Sequence, residues 1–249
     1  MTGERRAIQR VPYPVAFLER VEFQKGIESD DQVLIYEDFL LTAGGTLPAP
    51  WAKQDTSAAG SPTMDYVAGA AGGQYQITHD AQSELQKLTI YFGDYIPIDP
   101  TKKPIVEMRL KINFAGATFS ADQRIVFGLA SARNATLDSV VTNAWFRVEG
   151  ANLNLLVEGD DGTTDTDDQD TTFDIVDNTF HTYRIDLSDL SNVIFSADLE
   201  DGNGWNLCPT PIAIAAATGN LQPFIEIQRD AGTEAEDVRI DYVRVTVQR

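Results

Sequence analysis

The sequence predicts an all-β protein, built as a two-sheet antiparallel sandwich of the jelly-roll type. Segments in which apolar and polar residues alternate recur along the chain, and clusters of turn residues separate them. No segment beyond the N-terminal region has clear helical periodicity. The strongest alternation lies in residues 105–114, and its apolar members, which we expect in the core, are Val106, Met108, Leu110, Ile112 and Phe114.

Further strand-like segments precede and follow this one, and together they predict about ten to twelve strands in two packed sheets. Residues 180–199 are typical of a hairpin, because Tyr183, Ile185 and Leu187 alternate with polar residues before a polar turn. The other predicted segments are 32–41, 64–67, 74–78, 84–92, 124–130, 144–149, 152–158, 212–216, 221–230 and 237–247.

The last segment contains two apolar sets that are out of phase with each other. They are Val238, Ile240 and Tyr242, followed by Val243, Val245 and Val247. A regular strand would place these two sets on opposite faces. We therefore predict a bulge or twist at 242–243 that keeps both sets buried.

Composition and charge exclude several classes of protein. The chain has 249 residues, enough for one large β-domain, and its net charge of −19 opposes binding to nucleic acid or to an anionic membrane. No apolar run is long enough for a signal peptide or a membrane span, so we expect the protein to be made in the cytoplasm and to stay in the cell unless lysis or another route releases it. Cys208 stands alone, which rules out an internal disulfide.

Residues 1–31 differ from the rest of the chain, and we divide the protein into an N-terminal arm, 1–31, and a sandwich domain, 32–249. The first 25 residues carry a charge of +2, against −21 for the remainder. Apolar residues between two prolines and beyond them would form either a short helix face or a strand. The arm would pack on its own domain or on another chain through Val11, Tyr13, Val15, Phe17 and Leu18.

The order of several segments resembles the concanavalin A-like lectin and glucanase jelly roll, a fold also used by LamG modules. The segments are YEDF, VEMRLKINF, AWFRVEG followed by NLNLLVEGDDG, FHTYRIDL, NVIFSADL and the terminal VRIDYVRVTV. The resemblance covers residues 32–249. It implies an architecture that serves both sugar binding and sugar cleavage, and it does not by itself choose between them.

Glucanases of this fold that resemble laminarinases carry the motif E-x-D-x-x-E on one strand, so that its carboxylates face the same sugar bond. Glu28 and Asp30 begin this pattern, but Val33 stands where the second glutamate is needed. Four glutamates lie on predicted strands, and they are Glu107, Glu149, Glu158 and Glu226. One of them, Glu107, is on the polar face of its alternating strand, so we interpret it as a residue exposed on a sheet. We therefore expect no enzymatic activity.

Other candidate catalytic or metal-binding residues are few. His79 and His181 are far apart in sequence, and no serine or cysteine nucleophile has a recognisable partner. Residues 160–170 form the densest acidic run, in which Asp165, Asp167 and Asp168 are a weak calcium candidate. The alternative is a solvated hairpin tip, because the spacing fits no known calcium loop. No other cofactor is expected.

These observations leave three functional hypotheses. The first is a non-enzymatic virion protein, such as a phage capsid decoration, fibre or adaptor subunit. It would form homo-oligomers and dock through its arm on neighbours such as the major capsid protein. The second is a lectin-like module that binds surface glycans, with Trp51, Trp145 and Trp205 as candidate aromatic platforms. The third is a glycan-cleaving enzyme, which the missing motif disfavours.

Overall fold

The structure, a computed structural model, describes residues 31–41, 43–114, 116 and 119–248, and within them it confirms the predicted β-sandwich. Residues 1–30 of the predicted arm lie outside the described residues, and the last arm residue, Asp31, is the first residue of β1. The described ranges also contain short 3₁₀ turns at Pro100–Lys102 and Leu137–Ser139. The strands are β1 (Asp31–Glu37), β2 (Ala52–Asp55), β3 (Thr63–Tyr66), β4 (Tyr75–Thr78), β5 (Gln86–Tyr91), β6 (Ile105–Asn113), β7 (Gln123–Ala130), β8 (Asn143–Glu149), β9 (Asn154–Asp160), β10 (Asp165–Asp174), β11 (His181–Asp186), β12 (Ile194–Asp198), β13 (Trp205–Leu207), β14 (Gln222–Arg229) and β15 (Asp237–Gln248).

The strands form two antiparallel sheets. The eight-stranded sheet has the order β13-β12-β11-β6-β15-β4-β3, and β1 pairs with the second half of β15. The seven-stranded sheet has the order β10-β9-β8-β7-β14-β5-β2. Each sheet therefore combines strands from both halves of the chain, as expected of a jelly roll.

The core lies between the two sheets, and the predicted core residues of β6 and β11 are all buried. Tyr183 pairs in register with Met108, which sets the apolar faces of the two strands side by side. Tyr183 also packs edge-on against Phe127 of the other sheet, at 4.7 Å between ring centroids. Aromatic contacts of this kind join the sheets directly.

The predicted irregularity in β15 is confirmed, but it precedes Tyr242. The register of β15 on β6 shifts between Ile240 and Tyr242, so Val243 returns to the core face that Ile240 occupies. The prediction that both apolar sets are fully buried is wrong for Tyr242 and Val247, which are half-buried. The extra residue turns the Tyr242 ring away from the core. The ring stacks on Tyr36 at 6.3 Å.

Two other predictions differ from the structure. The segment 212–216 is not a strand, since Ile212 makes only an isolated bridge with Val193. The acidic run is predicted as a hairpin tip or calcium loop. Residues 161–164 do form the tip of the hairpin between β9 and β10, but from Asp165 onwards the run forms strand β10. Aspartate disfavours strands, but β9 supplies a full edge for pairing, and the register shifts twice along β10.

Replacing Leu110 by Ala should lower the free energy of unfolding by about 2–5 kcal/mol, because the side chain is fully buried and would leave a cavity. Leu207→Ala is the matched control, since Leu207 is 63% exposed. Urea denaturation of both variants measures the difference. A loss below about 0.5 kcal/mol for Leu110→Ala would contradict the packing.

Candidate functional site

The structure separates the three tryptophans proposed as sugar platforms. Trp51 is buried against Phe92, at 4.6 Å between ring centroids. Trp145 is buried on the outer face of the seven-stranded sheet. Trp205 is 39% exposed on the edge strand β13, with the Arg184 guanidinium 5.5 Å from its ring centroid. Only Trp205 among the three is accessible to a ligand.

The prediction that Glu107 is solvent-exposed is wrong, and two of the other three strand glutamates are also buried. Glu107, Glu158 and Glu226 are buried, and each is paired with a cation. Glu149 is half-buried between Arg124 and Arg147. The error arises because side chains on the outer faces of these sheets are covered by ion pairs and by a loop.

Glu226 lies far from the other strand glutamates, whereas Glu149 and Glu158 both pair with Arg147. Glu107 lies on the outer face of the eight-stranded sheet, on the other side of the sandwich from Glu226. Glu226 on β14 and Glu158 on β9 are separated by β7 and β8, which is about 14 Å at the usual strand spacing. Glycosidases place their two carboxyl groups within about 10 Å of each other.

A loop of residues 131–142 covers part of the outer face of the seven-stranded sheet. We call it loop 131–142. Its residues Leu137 and Val140 are buried against side chains of β7, β8 and β14 in a second apolar cluster, separate from the main core. The sheet members of this cluster are Val126, Ala130, Trp145 and Phe224. Both faces of the seven-stranded sheet are therefore shielded from solvent where the loop crosses it.

Buried charges accompany this apolar cluster. The Lys87 ammonium on β5 lies 2.9 Å from Oε1 of Glu226, and the Thr89 hydroxyl donates to Oε2 of the same glutamate at 2.6 Å. Burial raises the pKa of Glu226, while Lys87 and Thr89 oppose that rise. The register places Thr89, Glu226 and Lys87 together on the outer face.

Arg147 on β8 forms the centre of a second charged group. Its guanidinium donates to Asp138 of loop 131–142 at 3.0 Å and to Glu158 at 2.9 Å, and it pairs with Glu149 at 2.6 Å. Burial raises the pKa of Glu158 to about 7, although Arg147 and the indole of Trp145 both favour the charged form. Arg147 thus fixes the position of the Asp138 carboxylate, whose side chain is 71% exposed.

Two open depressions flank Asp138 on this face. The first has a volume of about 320 Å³, and its lining includes Val141, which is 64% exposed. The second has a volume of about 200 Å³. The polar side chains of the first are Asp138, Ser139, Asp160, Thr163 and Asp165, and those of the second are Arg124, Thr136, Asp138 and Gln228. Carboxylates, hydroxyls and an amide beside an exposed apolar group suit a ligand rich in hydroxyls.

The wall of the first depression depends on a turn held by Asp161. The Asp161 carboxylate accepts hydrogen bonds from the backbone of Thr163 at 2.9 Å, Thr164 at 2.7 Å and Ala216 at 2.8 Å. Burial would raise the pKa of Asp161, but these three donors outweigh it and lower the pKa. Gly162 has φ +80, and a Cβ there would approach Val141 to 3.1 Å.

The calcium candidates lie on β10. Asp165 lines the first depression, and burial and the neighbouring Asp167 and Asp160 raise its pKa. Asp168 has φ +52, where the register of the strand shifts. Across the described part of the chain, no three His, Cys, Asp or Glu side chains are grouped closely enough to hold a metal ion.

The two histidines are both buried. His79 lies 3.7 Å from a Glu236 oxygen, and Nδ1 of His181 lies 3.5 Å from the Tyr183 hydroxyl. Burial lowers the pKa of each. The arm residues proposed for docking lie outside the described residues, as do Glu28 and Asp30. No helix in the described ranges has the length and apolar character needed to cross a membrane.

Comparison with solved structures identifies the architecture. A bacterial protein of unknown function from Shewanella oneidensis MR-1 aligns over 97% of both chains, with a TM-score of 0.60 and 12% identity. The Ca²⁺-bound exoplasmic domain of VIP36 aligns over 87% of this chain and 90% of that one, with a TM-score of 0.56 and 14% identity. The carbohydrate recognition domain of Emp47p aligns over 86% and 96%, with a TM-score of 0.55 and 14% identity. The fold is that of a concanavalin A-like lectin domain. At these identities the likeness establishes the fold alone, and no family model or curated protein matches the sequence.

Sequence reasoning missed the principal features of this surface. Loop 131–142 joins two strands and carries no catalytic or ligand-binding motif, so Asp138 was not a candidate. The available signal was the position of Arg147 and Glu158 on consecutive predicted strands, each at an outward position of a segment that is otherwise strongly apolar. Charges at such positions indicate either a wet face or a covered one, and only the fold distinguishes them.

Asp161→Ala should lower the free energy of unfolding by about 1–3 kcal/mol at pH 7, because three backbone donors lose a charged acceptor. A carboxylate with a lowered pKa stabilises the fold above its ordinary pKa of about 3.9, and this contribution is lost as the pH falls through the folded-state value. The difference in free energy of unfolding between the wild type and the variant should therefore be smaller at pH 3 than at pH 7. Urea titrations at both pH values test it, with the exposed Asp122→Ala as control. An equal loss at both pH values would show that the charge of Asp161 contributes nothing.

Proposed function

We propose that this protein binds glycans on the outer face of its seven-stranded sheet, at the two depressions beside loop 131–142. The observation that carries the proposal is the Asp138 carboxylate, which is exposed between the depressions and held by the buried Arg147. Hydroxyl groups of a sugar donate well to a carboxylate, and such charge-assisted bonds are stronger than neutral ones. The lectin-like fold supports the same interpretation.

The other groups of this surface suit a sugar as well. Ser139, Thr163 and Gln228 can both donate and accept hydrogen bonds, while the exposed Val141 offers contact to the C–H groups of a pyranose ring. The net charge of −19 disfavours anionic glycans. We therefore propose neutral or amine-bearing glycans as ligands, bound without cleavage.

The related structures suggest which sugars to test first. One structure of the VIP36 domain, with a TM-score of 0.54 over 83% of this chain, is a Ca²⁺/Man-bound form. Mannose-containing glycans are accordingly the first probes for this chain, with and without added Ca²⁺. The inclusion of Ca²⁺ tests whether the acidic run at 160–170 contributes to binding.

Asp138→Ala should weaken binding to the best glycan of a printed panel by about tenfold or more, because one charge-assisted interaction is lost. The fold should be retained, since Arg147 keeps Glu149 and Glu158 as partners. Isothermal titration calorimetry measures the affinity, with Trp205→Ala on the other sheet as the matched control. If Trp205→Ala abolishes binding while Asp138→Ala has no effect, the site lies on the eight-stranded sheet. Failure of the wild type to bind any glycan would overturn the proposal.

A virion role remains a second proposal, and the sequence of the arm supports it. An apolar arm with a charge of +2 ahead of a body of −21 favours docking on another acidic, apolar protein surface. The lectin domains and the bacterial protein described above lend this role no support. We keep location in a virion, homo-oligomer formation and contact with a major capsid protein as parts of this proposal.

Deletion of residues 1–25 should leave the melting temperature nearly unchanged and abolish oligomers or particle attachment, because the arm would act only between chains. Mass photometry and thermal unfolding of both proteins provide the measurement. A truncated protein that melts many degrees lower and still assembles would show that the arm belongs to its own domain.

A further inference from the structure

Lys87 is placed so that one buried ammonium contacts both the sheet and loop 131–142. The residue is 4% exposed, and a buried ammonium is tolerated only when its donors are satisfied. Nζ lies 2.9 Å from Glu226 on the sheet and donates to the carbonyl oxygens of Ala135 at 2.7 Å and Asn134 at 3.4 Å. The ammonium thus forms an ion pair with the sheet and two hydrogen bonds with the loop.

A second set of hydrogen bonds connects the beginning of the loop to the same glutamate. Nε of Arg133 donates to the Thr89 hydroxyl at 3.1 Å, and that hydroxyl donates to Glu226 at 2.6 Å. Another nitrogen of Arg133 donates to the Thr56 hydroxyl at 2.9 Å. Glu226 therefore anchors the first part of the loop through both Lys87 and Thr89.

Hydrogen bonds within the loop connect this anchored segment to the turn that carries Asp138. The Asn134 side chain donates to the Ser139 carbonyl at 3.1 Å and accepts from the Thr136 backbone at 3.1 Å. The intervening 3₁₀ turn, Leu137–Ser139, carries Asp138 at its centre. The carbonyls that Lys87 holds are thus two and three residues before the turn that presents Asp138.

We propose that Lys87 is the positioning residue of the binding surface: with Glu226, it holds loop 131–142 in the conformation that presents Asp138 to the ligand. This inference rests on the proposed function, since it assigns a role within that same site. A loop fixed before binding loses little conformational entropy when the ligand arrives, so its contacts contribute more fully to affinity.

The energetics favour a positioning role over a purely stabilising one. A buried ion pair can often be replaced by apolar side chains of similar size without loss of stability, because the desolvation of both charges offsets their attraction. Apolar side chains, however, cannot donate to the carbonyls of Asn134 and Ala135. Replacing the whole pair should therefore leave the sandwich folded and release the loop selectively.

The test is the double variant Lys87→Met/Glu226→Met, which leaves no unpaired buried charge. Amide hydrogen exchange in peptides from 131–142 should become about tenfold faster, while exchange in β6 and β15 is unchanged. Affinity for the best glycan should fall about tenfold. The matched control is Arg244→Met/Glu107→Met, which removes an ion pair of 2.6 Å on the outer face of the other sheet and should change neither measurement.

The outcomes separate this inference from the proposed function. Unchanged exchange in 131–142 would overturn the role of Lys87, whatever the affinity. Faster loop exchange with full glycan affinity would also overturn it, because the loop would then be anchored without positioning the site. A wild type that binds no glycan would overturn the proposed function and the recognition role with it, while the exchange measurement would still decide whether Lys87 holds the loop.

Discussion

Burial of the seven-stranded sheet on both of its faces constrains much of the structure around it. The inner face packs against the other sheet, and loop 131–142 covers part of the outer face. Any charged side chain beneath that loop must find a partner, because an isolated buried charge is strongly unfavourable. Lys87 with Glu226, and Arg147 with Glu158, meet this requirement. The same pairs determine where the loop lies and where Asp138 is exposed.

The regular strands were predictable because their pattern is local. The alternation in residues 105–114 needs one dry face and one polar face, and β6 has them. Strand β10 was not predictable, since five of its ten residues are aspartate and only its pairing with β9 makes it a strand. The predicted position of the bulge in β15, at 242–243, differs from the observed one for the same reason. Pairing with β6 determines where the bulge lies.

The candidate site was much less accessible to sequence reasoning than the fold. Aromatic platforms were expected from residue type alone, yet Trp51 packs in the core and Trp145 donates to a buried carboxylate. The sequence contains many aspartates suited to the protein surface, and no local pattern distinguishes Asp138 from the others. Its significance depends on Arg147, nine residues away, and on depressions formed by separate loops. Such a surface is a product of tertiary contacts, for which the sequence contains no local pattern.

Among the described residues, β10 is an edge strand of the seven-stranded sheet, and its aspartates and its two register shifts have a consequence for association between copies of the chain. An open edge offers unpaired backbone groups to any other extended chain. At neutral pH the row of negative charges repels a second copy, and the irregular register leaves no straight ladder to extend. Strand β10 should therefore resist edge-to-edge association with a second copy of the chain.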